Sequence, residues 1–348
     1  MNVEFVEALN ELCKTRRIKK EVLLEAIEQA LMSAYKKNFD SASNARVTLD
    51  AITGEVAVYA QKKVVEQVEN PQLEIAADNP AVDNKYQLGD IVEVEVTPRN
   101  FGRIAAQAAK QVIVQRIREA ERGVIYDEYI EKEAEILTAI VLRVEGKTVY
   151  VDLNRTEGVL EPSQQMPEEE FHVGDRIKVY VMEVSRSQKG PQVMVSRTHS
   201  GLVQRLFAME VTEIQTGVVQ IKSIAREAGY RTKMAVYSSD AAVDPVGACV
   251  GQRGTRVESI VNELRGEKID IIKWSSDPAE YIAQALSPAK VVGVFVNEHE
   301  KAAKVVVLDN QLSLAIGKEG QNARLAAKLT GWKIDIKSQS QMEESMGV

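Results

Sequence analysis

The chain has 348 residues, of which 45% are hydrophobic and 27% are charged, and its formal net charge is −7. This composition is ordinary for a soluble globular protein with two to four domains. No apolar run approaches the ~20 residues of a membrane span, and the first ten residues lack the basic segment of a signal peptide. The two cysteines, Cys13 and Cys249, have neither metal-binding nor redox spacing. We therefore expect a cytoplasmic protein that does not contact membranes.

The negative charge is unevenly distributed along the chain. Residues 1–130 carry 17 basic and 21 acidic side chains, residues 131–200 carry 9 and 12, and residues 201–348 carry 18 of each. A neutral segment can still bind a single strand of nucleic acid through a local groove and backbone contacts. Non-specific binding of duplex DNA needs many more basic side chains, so we do not expect it.

The first 130 residues combine helical and strand patterns, which predicts an α+β N-terminal domain. Its predicted elements are helices at 5–13, 21–35 and 101 to about 122, a hairpin at 46–60, and strands at 63–68 and 91–96. Arg103 and Lys110 lie two turns apart on one face of the last helix. Periodicity alone leaves two explanations for this pair, a solvated stripe or a contact with RNA phosphates.

Residues 131–200 read as a separate all-β domain. Five short strands are predicted at 136–144, 148–153, 158–160, 176–184 and 192–196. Five strands in about 65 residues suit a five-stranded OB-fold β-barrel. The stretch Glu157-Gly158-Val159-Leu160-Glu161-Pro162-Ser163 resembles the RNA-binding module of ribosomal protein S1. The segment offers few aromatic side chains for base stacking, namely Tyr150, Phe171 and Tyr180, so the barrel either binds RNA or only spaces its neighbours.

The last third contains an internal repeat. The motif Gly251-Gln252-Arg253-Gly254 recurs 66 residues later as Gly317-Lys318-Glu319-Gly320. The sequence Lys-Ile-Asp-Ile at 268–271 recurs at 333–336. A register kept across loop, helix and strand indicates a duplicated domain. Each copy reads α-β-β-α-α-β, the order of prokaryotic-type (type II) KH α/β domains. We expect two tandem KH domains at 201–276 and 277–340, followed by a frayed polar tail at 341–348.

The two Gly-x-x-Gly loops are the predicted RNA site. Glycine lets the backbone press against a phosphodiester chain, and KH modules use such a loop to hold about four nucleotides. Arg256 and Arg324, in the helices after the loops, are the expected side-chain reinforcements, whereas Glu319 opposes phosphate and predicts a weaker second clamp. The RNA-binding candidates are Gly251, Gln252, Arg253, Gly254, Arg256, Gly317, Lys318, Glu319, Gly320 and Arg324.

The sequence offers no catalytic constellation. Its three histidines, His172, His199 and His299, are scattered, and no paired-carboxylate metal motif stands out. We therefore expect no enzyme activity, no catalytic residue, no metal and no cofactor. Two alternatives remain, a ribonuclease or nucleotidyltransferase with accessory RNA-binding modules, and a ribosome-associated RNA chaperone.

The whole arrangement resembles the NusA family of bacterial transcription termination and antitermination factors. The resemblance is carried by the domain order and by Phe101-Gly102-Arg103-Ile104-Ala105-Ala106-Gln107, Ala34-Tyr35-Lys36-Lys37, residues 244–251, residues 266–272 and Gly331-Trp332. It implies a factor that docks by its N-terminal domain on RNA polymerase, near the RNA exit channel and the β-flap. Pausing, intrinsic termination and, with other Nus factors, antitermination are the implied activities.

On this resemblance Arg103 and Lys110 become candidates for contacting a nascent RNA hairpin. The barrel and the KH pair would hold the emerging single strand, and a monomer is expected.

Overall fold

The computed structural model describes residues 3–16, 19–39, 44–82, 85–187 and 190–346. The chain divides into two compact units, residues 1–125 and residues 126–348. Within the described residues, no helix combines the length and apolar character that crossing a membrane would require.

The first unit is the α+β domain that the sequence predicts. Its elements are α1 (Val3–Arg16), α2 (Lys20–Phe39), β1 (Ala45–Leu49), β2 (Val56–Val65), β3 (Glu74–Ala76), β4 (Ile91–Glu95) and α3 (Phe101–Ile130). The predicted hairpin arm and the predicted strand at 63–68 are one continuous strand, β2. This strand pairs with all three others, antiparallel with β1 and β4 and parallel with β3. The sequence analysis does not predict β3, because this strand has three residues and lies in a segment rich in turn residues.

Three aromatic rings join the end of α2 to the start of α3. Tyr35 stacks on Phe39 at 5.3 Å between ring centroids and meets Phe101 edge-on at 5.6 Å. Such offset and edge-to-face pairs add about 0.5–1.5 kcal/mol each beyond the buried area. Phe101, Ala105 and Ala109 form the buried stripe of α3, which fixes the opposite side of that helix as its solvent face.

Helix α3 continues to Ile130, beyond the predicted end near residue 122, and the boundary between the two units falls within it. In the second unit the Tyr129 ring is buried, and its hydroxyl donates a hydrogen bond to the carbonyl of Leu153. This anchor explains the extra turns, because a helix is stabilised mainly by what its side chains pack against. The sequence pattern of residues 123–130 does not reveal that Tyr129 has a buried partner at Leu153, so the predicted helix ends too early.

The five predicted barrel strands are all present and close into a barrel. They are β5 (Ile136–Glu145), β6 (Thr148–Asp152), β7 (Glu157–Leu160), β8 (Arg176–Ser187) and β9 (Gly190–Ser196), in the order β5-β6-β7-β9-β8. Alternate residues point inward and fill the interior, as in other small barrels. The filling is aliphatic, with Ala139, Val151, Leu160, Val179 and Val195 buried.

The repeat proves to be two copies of the α-β-β-α-α-β fold. The first KH domain (KH1) contains α4 (Ser200–Glu210), α5 (Thr212–Gln215), β10 (Val219–Glu227), β11 (Arg231–Ser238), α6 (Pro245–Val250), α7 (Thr255–Glu263) and β12 (Lys268–Lys273). The second (KH2) contains α8 (Pro278–Ala285), β13 (Val291–Asn297), β14 (Ala302–Val307), α9 (Leu312–Ile316), α10 (Gln321–Thr330) and β15 (Lys333–Ser338). In both sheets the middle strand is antiparallel to the first and parallel to the last.

The polar tail is a helix rather than a frayed segment as far as the structure describes it. Helix α11 (Gln339–Met346) follows β15 directly and lies against β14 and β15. Its second residue, Ser340, donates a hydrogen bond to Asp309 at 2.9 Å, and the backbone N–H of Ser338 donates to Gln341 at 3.1 Å. These contacts explain how a polar segment holds a helix, and the last two residues lie outside the described part of the chain.

A buried guanidinium group joins the barrel to KH1. Arg197 is 1% exposed and pairs with Glu169 at 2.7 Å and with Glu263 at 3.2 Å. It also donates to the backbone carbonyls of Lys178, at 2.6 Å, and Glu263, at 2.9 Å. Because Glu263 belongs to α7 while Lys178 belongs to β8, this one side chain bridges the two domains with a set of charge-assisted hydrogen bonds.

A second buried pair extends the same junction. Arg226 of β10 binds both oxygens of Glu267, and the carboxylate also accepts from the Thr232 hydroxyl at 2.6 Å. The remaining nitrogen of Arg226 donates to the His199 carbonyl at 2.8 Å. The His199 ring in turn stacks on Tyr180 of the barrel at 4.6 Å. Buried charges are tolerated only when paired in this way.

KH1 and KH2 share one hydrophobic core. Ala225, Ala235 and Ile272 of the KH1 sheet cluster with apolar side chains of KH2 helices, among them Ile282 and Leu325. Helix α10 lies against β10 and β11, and α8 lies against β12. A common core of this kind makes the two domains a single rigid body, because separating them would expose the apolar surface of both.

We expect Arg197→Met to destabilise the second unit by about 3–5 kcal/mol, since it leaves the 2%-exposed Glu169 without its nearest charge partner. Urea unfolding of the full chain measures this loss. Arg205→Met is the matched control, because Arg205 pairs with Glu135 at the same junction but is 42% exposed. The control should cost at most about 1 kcal/mol. Equal losses in the two variants would contradict the assigned role of Arg197.

Candidate nucleic-acid interface

The first Gly-x-x-Gly loop is held between two short helices. Asp244 caps α6 by accepting from the backbone N–H groups of Val246 and Gly247, at 3.1 and 3.0 Å. The helix ends at Val250, and the next residue, Gly251, has φ 75° and ψ 174°, a region that only glycine adopts readily. Arg253 and Gly254 then follow with φ of 53° and 80°, so the chain turns through left-handed conformations before α7 begins.

The second loop has the same backbone. Gly317 has φ 77° and ψ 172°, Glu319 has φ 55° and ψ 25°, and Gly320 has φ 75° and ψ 12°. Each φ lies within about 5° of its counterpart in the first loop. Arginine and glutamate thus adopt the same left-handed conformation, at a strain of about 1–2 kcal/mol each. Conserving that strain in both copies of one chain is typical of a functional loop.

The first glycine of each loop is required because another side chain occupies the space where its Cβ would lie. A Cβ on Gly251 would come within 2.7 Å of Arg256 Cγ, and one on Gly317 within 2.8 Å of Asn322 Cβ. The side chains of Arg256 and Asn322 donate to equivalent carbonyls, those of Ala248, at 2.6 Å, and Leu314, at 3.4 Å. They therefore brace the helix turn that precedes each loop.

The middle residues of both loops face solvent. Gln252, Arg253, Lys318 and Glu319 are exposed, while the glycines beside them are half-buried. Within the described residues, the backbone N–H groups of Gln252 and Arg253 donate to no protein acceptor. Successive free N–H groups in a left-handed turn form a concave anion-binding surface. The loop backbone can thus bind a phosphate without any large basic patch.

The two arginines expected to reinforce the loops have protein partners. Arg256 pairs with Glu213 at 3.0 Å, and Arg324 pairs with Glu227 of KH1 at 2.6 Å. The hydrogen bond from Arg324 lowers the pKa of Glu227 below its usual range. Arg256 and Arg324 are not equivalent, since the residue 66 positions after Arg256 is Asn322. Contact of either arginine with RNA stays a prediction, and both side chains first serve to hold the protein together.

A cleft connects the two KH domains beside the second loop. It has a volume of about 430 Å³ and is bounded on the KH1 side by Tyr230, Arg231 and Lys268. The KH2 side includes Gly317 and Lys318. Tyr230 is 54% exposed, so an open ring shares the cleft with Lys268 and Lys318, while Arg231 is paired with Asp270 at 2.8 Å. Aromatic stacking combined with backbone-tracking cations is how proteins bind single strands. Sequence reasoning missed Tyr230 and Lys268, which the fold of KH1 brings to this cleft.

Two of the three aromatic side chains that the sequence offers in the barrel, Tyr150 and Tyr180, are held by other protein groups. The Arg143 guanidinium lies 4.0 Å from the centroid of the Tyr150 ring and is held there by Glu145, at 2.6 Å, and Glu157, at 2.9 Å. The Tyr180 ring packs against Gly201 so closely that a Cβ there would lie 2.5 Å from it. Phe171 is half-buried. These contacts favour the spacer role over base stacking for this barrel.

Arg103 and Lys110 lie in the first unit, on the solvent face of α3. Both side chains are exposed, and the buried stripe at Phe101, Ala105 and Ala109 faces away from them. The pair is therefore available for a contact with phosphate, which stays a prediction.

Known families match this chain domain by domain. In chain order the matches are the NusA N-terminal domain at 4–123, the S1 RNA binding domain at 131–196, the NusA-like first KH domain at 197–274 and the NusA-like second KH domain at 278–344. The transcription termination/antitermination protein NusA of Halalkalibacterium halodurans is 57% identical over 345 residues, 99% of this chain and 90% of that relative. The chain belongs to the NusA family.

Two further NusA relatives extend the comparison. The protein of Bacillus subtilis is 57% identical over 99% of this chain and 93% of its own length. That of Thermus thermophilus is 44% identical over 96% of this chain and 89% of its own length. The NusA-like KH match begins at residue 197, so Arg197 lies at the border between two family modules.

The two glycines of the first Gly-x-x-Gly loop should differ in their tolerance of a side chain. Gly251→Ala should cost about 2–3 kcal/mol, because it combines a forbidden backbone conformation with a collision at Arg256. Gly254→Ala should cost only about 1 kcal/mol, since its Cβ would meet no atom within 4 Å. Thermal unfolding of the two variants measures the difference. A Gly251→Ala variant as stable as Gly254→Ala would contradict the packing explanation.

Proposed function

We propose that this protein is an RNA-binding transcription factor that acts with bacterial RNA polymerase, modulating pausing, intrinsic termination and antitermination. The observation that carries the proposal is the pair of Gly-x-x-Gly loops with the same backbone on one rigid KH1–KH2 body. Family membership supports it, because the relatives bear the name transcription termination/antitermination protein NusA. Two loops on one body bind one strand with added avidity and no new type of contact.

In the proposed mechanism the nascent strand leaves polymerase and is held by backbone N–H groups at both clamps. Arg253 and Lys318 add a positive charge to each loop, whereas Glu319 weakens the second clamp by repelling phosphate. The strand would cross between clamps along the cleft that contains Tyr230 and Lys268. The barrel serves to set KH1 at a fixed position, because Arg197 and Arg226 hold the two together.

The N-terminal domain is proposed to dock on polymerase at the β-flap and RNA exit channel, with Arg103 and Lys110 facing the phosphates of a nascent hairpin. Other Nus factors are proposed as partners in antitermination, and the factor is proposed to work in the cytoplasm as a monomer. We propose no catalytic role. Incubation of the protein with RNA and magnesium tests this. Degradation of the RNA that a point substitution abolishes would contradict the absence of a catalytic role.

Replacing both middle residues of the first loop by aspartate should weaken binding of single-stranded RNA at least about tenfold, or about 1.4 kcal/mol. The variant is Gln252→Asp with Arg253→Asp, and Lys318→Asp with Glu319→Asp tests the second loop. Fluorescence titration with a labelled RNA of about ten nucleotides measures the loss. Arg176→Asp with Gln339→Asp is the matched control for the first loop, because it makes the same change of charge away from both loops. Its affinity should stay within about twofold. Unchanged binding by both loop variants would contradict the clamp assignment.

The choice of macromolecular partner separates the proposal from a ribosome-associated chaperone. We expect the immobilised full chain to retain purified RNA polymerase core at physiological salt and to retain ribosomes far less. A charge-reversed Arg103→Glu with Lys110→Glu variant should keep polymerase binding but lose its effect on hairpin-dependent pause lifetime in single-round transcription. Preferential retention of ribosomes would favour the chaperone instead.

A further inference from the structure

The outer face of the KH2 sheet, on the side away from α9 and α10, carries an open cavity. The cavity has a volume of about 480 Å³, and outward-facing residues at its floor are Phe295, Ala302, Lys304, Lys333 and Asp335. Phe295 is 59% exposed, although the large aromatic side chains of a soluble domain are mostly buried. An exposed ring beside a cavity of this size is typical of an interaction surface.

The internal repeat shows what covers this face elsewhere in the chain. Lys233 lies opposite Asp270 in the strand register of the KH1 sheet, and Lys304 lies opposite Asp335 in that of the KH2 sheet. Each pair is two residues from the start of its parallel ladder, so the two positions are equivalent. On the neighbouring strand, Ala225 of KH1 therefore corresponds to Phe295 of KH2. Ala225 is 4% exposed, because the KH1 face is covered by KH2 helices.

Two helices of KH2 together cover the KH1 face. Helix α8 lies over β12, while α10 lies over β10 and β11. The contacts made at α10 include Gln321 and Arg324, which both donate to Glu227, at 2.9 and 2.6 Å. Lys233, buried beneath the interface, donates to Asp270 at 3.0 Å and to the Ser287 carbonyl at 2.7 Å.

Among the residues that the structure describes, a helix fills only one of these two positions on KH2. Helix α11 follows β15 as α8 follows β12, and it lies over β15 and β14. Val306 of β14, at one end of this face, is 8% exposed. The position that α10 takes on KH1, above the first and middle strands, is on KH2 the cavity beside Phe295.

We propose that this cavity is a docking site for an amphipathic α-helix of RNA polymerase, which lies on β13 and β14 as α10 lies on β10 and β11. The choice of polymerase rests on the proposed function, whereas the choice of a helix rests on the repeat. The helix presents a small residue at the point where it crosses Phe295, because a ring stands there in place of Ala225. An aliphatic stripe beside that residue covers the ring.

The chemistry of the face favours protein over RNA. The two lysines of the cavity are balanced by two carboxylates, Asp335 and Glu300, so the site has no net attraction for phosphate. Compared with KH1, the charged Glu227 and Arg231 are replaced by Asn297 and Ala302 at equivalent positions. The expected partner surface is therefore more apolar than that of α10.

The site is compatible with simultaneous RNA binding. The clamp loop of KH2 joins α9 to α10, which pack on the inner face of the sheet, and Phe295 is on the outer face. A partner at Phe295 thus occupies the reverse side of the domain that holds the strand. Docking there adds a second attachment without displacing RNA.

The test uses Phe295→Glu in the full chain. Because the ring is already exposed, the variant should fold normally, with an unchanged melting temperature and unchanged affinity for single-stranded RNA. Its affinity for purified RNA polymerase core should fall at least about tenfold, as expected for removing a central aromatic anchor. Val173→Glu on the barrel is the matched control, since Val173 is 72% exposed. Polymerase affinity of Phe295→Glu equal to that of the control would overturn the proposal.

Photo-crosslinking identifies the occupant directly. The photoreactive p-benzoylphenylalanine replaces Phe295 in one sample and Tyr230 in another, each with polymerase core and RNA. We expect the label at 295 to attach to a helical peptide of a polymerase subunit, and the label at 230 to attach to RNA. Attachment of the 295 label to RNA, to a second copy of this chain or to nothing would each overturn the proposal. Failure of the unsubstituted chain to bind polymerase would instead refute the proposed function.

Discussion

The buried guanidinium of Arg197 is the contact on which the arrangement of the RNA-binding half depends. It bridges β8 of the barrel to α7 of KH1 through Glu263 and the Lys178 carbonyl, and α7 is the helix that follows the first clamp loop. A buried charge of this kind costs several kcal/mol unless every partner is in place, so the junction has one geometry. The shared core of KH1 and KH2 continues that constraint to the second clamp. Barrel and clamps are therefore positioned as one body before RNA arrives.

Preorganisation of this kind explains how a neutral segment binds RNA. Neither clamp depends on a dense basic patch, since residues 201–348 carry equal numbers of acidic and basic side chains. In the proposed mechanism, binding comes from backbone N–H groups in a strained turn. Each glycine turn is braced by a side chain, Arg256 in one copy and Asn322 in the other. Two braced turns at a fixed separation convert two weak contacts into one stronger one. The duplicated copies differ in charge at Arg253 and Glu319, which makes the platform asymmetric along the strand.

Much of this could be predicted from sequence, because periodicity and repeats survive in a single chain. The α+β domain, the five barrel strands and both KH copies follow from patterns of apolar residues and from the spacing of 66 residues. The rest depends on partners distant in sequence. Arg197 and Glu267 look like surface charges until the fold buries them. The pattern does not single out the bracing role of Asn322, although counting 66 residues from Arg256 points to it. Nor does it show that Arg324 pairs with Glu227, and the contact of Arg324 with RNA stays a prediction.

The proposed binding of one strand by both loops depends on the rigidity of the KH1–KH2 body, and the distance between the two loops tests that rigidity most directly. Spin labels at Gln252→Cys and Lys318→Cys in a Cys13→Ser chain report that distance by double electron–electron resonance. Cys249 stays unlabelled because it is buried, and burial raises the pKa of its thiol to about 12. The structure predicts one narrow distance distribution that is the same with and without single-stranded RNA. A broad distribution that narrows only when RNA binds would contradict it.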